Sequence, residues 1–136
     1  MWLVYALLAA VFASLTAILA KVGLDGINSH LATAIRTVVV LALSWGMVLV
    51  VGAEKEIPHL SRNNLTFLTL SGLCTGLSWL CYYKALQMGP VSKVAPIDKL
   101  SVVLTIILAA VFLHEPFTAK TAAGSVFLVI GILILV

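Results

Sequence analysis

Five long apolar runs, separated by four short polar breaks, make up the chain. The runs cover residues 2–20, 31–51, 65–83, 91–113 and 119–136. Each is close to the roughly 20 residues that an α-helix needs to cross the hydrocarbon of a bilayer. The breaks hold the residues that stop helices. Gly23, Asp25, Gly26 and Asn28 fill the first, and a mixed-charge stretch from Glu54 to Asn64 with Pro58 fills the second. Gly89-Pro90 and Glu115-Pro116 mark the third and fourth. The pattern predicts an all-α integral membrane protein, with five transmembrane helices in one domain over residues 1–136. Thr118 stands where it would cap the last helix.

Composition supports the membrane reading and narrows the function classes. Of the 136 residues 62% are hydrophobic and 10% charged, with a mean hydropathy of +1.20. A soluble domain of this size has too little interior to hide that much apolar surface, so the lipid bilayer is the expected surrounding. The net charge of +3 comes with no basic cluster outside the runs, which argues against a nucleic-acid partner. No metal-ligand cluster, nucleophile motif or phosphate-binding loop stands out, so neither an enzyme nor a cofactor or metal site is expected. The N-terminus lacks a basic stretch, and the first run is too long for a cleaved leader, so it reads as a retained helix. Cys74 and Cys81 lie seven residues apart on one helix. Their Cα atoms would be about 10 Å apart, too far for a bridge, and both are expected as buried free thiols.

The polar residues inside the runs are the chemically informative ones. The fourth run begins with Lys93, Pro96, Asp98 and Lys99. Asp98 and Lys99 sit about eight residues, or roughly 12 Å, inside one boundary. Charges at such depth cost a few kcal/mol unless paired or wetted, which makes them functional candidates. Pro96 lacks an N–H, so the Ser92 carbonyl loses its helical donor. Arg36 lies roughly 8 Å into the second run, either as a functional cation or as a side chain reaching back to the headgroups. Arg36 and Asp98 are at similar depth, which allows an ion pair between the second and fourth helices. Asp98 and Lys99 project about 100° apart and make poor partners for each other. One carboxylate against two cations leaves excess positive charge inside, which favours an anionic or zwitterionic small molecule. Trp79, Tyr82, Tyr83 and Lys84 read either as an interfacial aromatic belt with a snorkelling lysine or as part of a substrate box. Lys21 is expected to snorkel in the same way.

Small residues suggest where helices approach. Ala6, Ala10, Ala13, Ala17 and Ala20 form a stripe on the first helix, and Gly72 and Gly76 have GxxxG spacing on the third. Gly124 and Gly131, seven apart, share a face of the fifth. Let side A be the side of the N-terminus. Its breaks carry Lys55, Arg62 and Lys120, and the side-B breaks carry Lys21, Lys84 and Lys93. The positive-inside rule then sets no orientation. A chain that inserts both ways would pair as an antiparallel homodimer, with its site near the midplane between two inverted halves.

In order and spacing, several pieces together resemble one repeat of the EamA-type drug/metabolite transporters. They are Ala20-Lys21-Val22-Gly23-Leu24, Arg36, the run from Tyr83 to Pro96, and Glu115-Pro116-Phe117-Thr118 with Gly124 and Gly131. The run Pro96-Ile97-Asp98-Lys99-Leu100-Ser101 resembles a subgroup of short, single-repeat members. The resemblance implies a multi-pass plasma-membrane protein that moves a small metabolite, with export the favoured direction, by alternating access. A single repeat would need a dimer to complete the family architecture. In that reading Asp98 is the coupling acid, and Lys99 or Arg36 holds the negative group of the cargo. Two other classes stay open: a passive channel for a small anion, and an accessory subunit of a larger transporter.

Overall fold

The computed structural model describes residues 1–136 and is helical throughout, with no strand. α1 spans Trp2–Gly23 and α2 spans Ser29–Val51. Asn28 starts α2: its side-chain oxygen accepts the His30 N–H at 2.8 Å. Gly52 stops it in the left-handed region, at φ 76°, and its N–H reaches the Val48 carbonyl. The second break folds as a 3₁₀ segment, Ala53–His59. α3 spans Arg62–Met88, three residues earlier than the apolar pattern predicts. Ser61 explains the early start, because its hydroxyl accepts the Asn64 N–H at 3.1 Å and so caps a polar first turn. Pro90 ends the helix soon after Met88.

The predicted fourth span is two helices. α4 covers Val91–Asp98, α5 covers Leu100–Phe112, and Lys99 is a turn between them. The expected weak point was Pro96, but α4 carries that proline and breaks three residues later. At the break Lys99 N–H donates to the Pro96 carbonyl at 3.0 Å, and Val102 N–H donates to the Lys99 carbonyl at 3.0 Å. Both are i→i−3 bonds, a local tightening that suits a ladder already missing its proline rung. α6 spans Ala119–Leu135 and is capped as expected, Thr118 accepting the Thr121 N–H at 3.2 Å. At 17 residues it is about 26 Å long, short of the roughly 30 Å of bilayer hydrocarbon. So four helical stretches, with α4 and α5 taken together, are long and apolar enough to cross a membrane, and the fifth is a shorter apolar helix.

The chain divides into two compact units, residues 1–18 with 88–136 and residues 19–87. In the first, α4, α5 and α6 pack on one another and Ile132 is buried. In the second, the buried residues are Ala20, Leu24, Ser29, Ala32, Thr33, Tyr83 and Leu86. They lie where α1 stops, α2 starts and α3 stops. Along the rest of α2 and α3 almost every side chain is open to the surroundings of the single chain.

That openness overturns one expectation and qualifies another. Cys74 and Cys81 are free thiols, but both are exposed on α3 rather than buried. A Cβ added at Gly72, Gly76, Gly124 or Gly131 would meet nothing within 4 Å. The glycine faces are therefore not used for packing within one chain. Lipid or another chain must cover them.

Candidate functional site

Arg36 stands at the eighth position of α2, about 10 Å along the helix from Ser29. Its guanidinium carbon lies 4.6 Å from the ring centroid of Tyr83 on α3. Tyr83 is only 2% exposed, and Tyr82 meets its ring edge-on at 5.7 Å and 72°. The ring face is electron-rich, so it partly replaces the water a cation gives up; a desolvated stack of this kind is worth up to about 2 kcal/mol. No carboxylate pairs with Arg36: the ion pair in the structure is between Asp98 and Lys99. The guanidinium thus keeps its planar N–H donors available to an acceptor lying in its plane.

The same face of α2 carries hydroxyls. Thr33 donates to the Ser29 carbonyl and Thr37 to the Thr33 carbonyl, each at 2.8 Å. Ser29, Thr33, Arg36 and Thr37 follow the i, i+4, i+7, i+8 spacing of one helix face. The Ser29 hydroxyl itself is buried without a hydrogen-bond partner. This polar stripe in an apolar helix was legible in the sequence but was passed over in favour of Arg36 alone.

The fourth-run residues form a second locus, in the other unit. Lys99 Nζ lies 3.1 Å from Asp98 Oδ2, so the two adjacent residues do pair, contrary to the expectation from an unbroken helix. The four-carbon stem of lysine is flexible enough to fold its ammonium back onto the neighbouring carboxylate. Pairing gives Asp98 a local cation and Arg36 an aromatic ring, in place of the expected ion pair between them. Pro96 is half-buried within α4, and Lys93 is exposed with its ammonium 2.6 Å from the Val136 carbonyl.

Two side chains depart from the snorkelling expected of them. Lys21 does not simply reach for headgroups: its ammonium donates to the Leu86 carbonyl, in the last turn of α3. Tyr83 is too buried to be a belt residue, whereas Lys84, exposed and 3.4 Å from the Gln87 side-chain oxygen, fits the interfacial reading. Trp79, one turn before Tyr83, is half-buried.

A family model, described as the EamA-like transporter family, matches residues 1–136. The chain belongs to the EamA-like transporter family. It is 44% identical over 134 residues to an uncharacterised transporter of a Sinorhizobium species, named for the cobO 3′ region; the match covers 98% of this chain and 95% of that relative. It is also 31% identical over 81 residues to an uncharacterised protein of Methanocaldococcus jannaschii, covering 60% of this chain and 59% of that protein. The Sinorhizobium relative is thus little longer than this chain and is matched along nearly all its length. No solved structure matches. Family membership and the apolar helices make this EamA-like chain a multi-pass transporter of the plasma membrane, and point away from an enzyme.

Proposed function

We propose that the chain is a secondary transporter for a small anionic or zwitterionic metabolite, with export as its working direction, acting as an antiparallel, dual-topology homodimer. The observation that carries the cargo class is Arg36, held on the Tyr83 ring inside an apolar helix and lacking any carboxylate partner. A cation at membrane depth without an acid favours a negative group brought by the cargo. Lys99, already engaged by Asp98, is the weaker choice to hold it. Asp98 is the coupling acid: it ends the half-helix α4 inside the fourth span, and releasing Lys99 on protonation would give it two states. The dimer rests on the balanced charge tally and on the uncovered glycine faces of α3 and α6.

The test is uptake into proteoliposomes under an imposed proton gradient, using a panel of small carboxylates, zwitterions and lipophilic cations. Accumulation of an acid or zwitterion above its equilibrium level supports the proposal. Equilibration without accumulation makes the protein a channel, and no flux for any compound makes it an accessory subunit.

A further inference from the structure

Two hydrogen bonds of long sequence separation meet at the side-B end of the second unit. Lys21, at the end of α1, donates to the Leu86 carbonyl, 65 residues away. Gln87 Nε2 donates to the Ile27 carbonyl at 2.8 Å, 60 residues away. Lys84 orients that amide from the other side, its ammonium 3.4 Å from Gln87 Oε1. Leu86 O is among the last carbonyls of α3, which have no helical N–H to accept and carry the negative end of the helix dipole. An ammonium is the side chain best suited to such a carbonyl.

The position of these bonds is informative. They tie the α1–α2 turn to the last turn of α3, one turn beyond Tyr83. Every buried residue of the unit lies in this end: Leu24, Ser29, Thr33 and Leu86 are 4%, 1%, 6% and 0% exposed. Away from it α2 and α3 are open. We infer that Lys21 is a positioning residue which, with Gln87, latches the side-B end of α3, holds the Tyr83 ring beneath Arg36, and closes that end of the Arg36 site. The cargo then reaches Arg36 from the open side, and passage to side B requires the latch to release. The route of the cargo rests on the proposed transport function; the latch does not.

The experiment reads the latch without transport. Cys74 and Cys81 are replaced by serine, Ser29→Cys serves as a near-isosteric buried reporter, and its labelling by a water-soluble maleimide is timed in the purified, lipid-reconstituted protein. Losing a hydrogen bond from a charged donor should raise the open population, so Lys21→Met should speed labelling by about tenfold or more. Lys21→Arg should keep the rate within about twofold, since a guanidinium can still donate to the carbonyl. In parallel, the Arg36 Nε–H resonance should be shifted upfield by the Tyr83 ring, lose that shift in Lys21→Met, and keep it in Lys21→Arg. The chain has only two arginines, so Arg62→Lys assigns the signal. If Lys21→Met does not yield a monodisperse protein, Gln87→Leu at an exposed position takes its place, with about a threefold rise expected from a neutral hydrogen bond. An unchanged rate or an unchanged Arg36 shift in the folded variant overturns the inference. So does a Lys21→Arg rate as high as that of Lys21→Met, which would mean general loosening. Arg36→Gln tests the transport claim by itself: the apparent affinity for the cargo should fall at least about tenfold, and whatever that result, the labelling rates of the Lys21 variants decide the latch.

Discussion

Replacing Arg36 by methionine should make the protein more stable. A charged side chain deep in a transmembrane helix costs about 3 kcal/mol on insertion scales. Arg36 is about 10 Å along α2, so most of that cost applies. The structure offsets it with one interaction, the stack on Tyr83 at 4.6 Å, worth about 1–2 kcal/mol at a half-desolvated site. A net penalty of about 1 kcal/mol is left, and Arg36→Met removes it while filling similar volume. The stack itself is isolated by a double-mutant cycle with Tyr83→Leu, measured by steric trapping in lipid bicelles. Tyr83→Leu should cost more in the native background than in Arg36→Met, by about 1–2 kcal/mol. Tyr83→Phe should cost little in either, because the ring face and not the hydroxyl meets the guanidinium. Two results would refute the reasoning: a coupling energy under about 0.3 kcal/mol, or an Arg36→Met protein less stable than the native one by more than about 1 kcal/mol.

Four other outcomes are expected. Asp98→Asn should leave Lys99 charged and unpaired and should abolish the dependence of uptake on the proton gradient; full gradient-driven uptake by this variant in proteoliposomes would remove Asp98 from the coupling role. Gly52→Ala should lower stability by about 1 kcal/mol, because Gly52 caps α2 at φ 76° with open space around it, so backbone strain alone is at issue. His114, at φ 54°, is a residue held in the same strained region, and His114→Gly should gain up to about 1 kcal/mol; steric trapping in lipid bicelles measures both variants. Single cysteines at Asn63 and Met88, in a background without Cys74 and Cys81, should each be labelled from outside intact cells in about half the molecules if the balanced charge tally sets dual topology; labelling at one site only would mean a fixed orientation.

The apolar runs and their stop residues made most of the fold readable, since periodicity and length are properties of the chain itself. Caps were readable where a side chain announces them, as at Thr118, and were missed where the cap lies outside the apolar run, as at Ser61. In the fourth span the sequence signals only the hydrogen bond lost at Pro96; the turn falls at Lys99, where nothing in the residue type marks it. Among the site residues, Arg36 and Asp98 were identifiable as charges in apolar surroundings. Their partners were not. An arginine over an aromatic ring and a lysine on a distant backbone carbonyl depend on which helix ends meet, and that information is spread over residues far apart in the chain or carried by groups every residue has. The polar stripe of α2 was visible at helical spacing and needed only to be counted.

The most direct measurement of the central claim is the current evoked by small acids on solid-supported membranes, comparing the native protein with Arg36→Gln. The account predicts currents for carboxylate or zwitterionic compounds and none for lipophilic cations. It also predicts their loss in Arg36→Gln, by at least tenfold in apparent affinity as expected for a charge-assisted hydrogen bond. Currents of unchanged size and affinity in Arg36→Gln, or a response to cations alone, would contradict it.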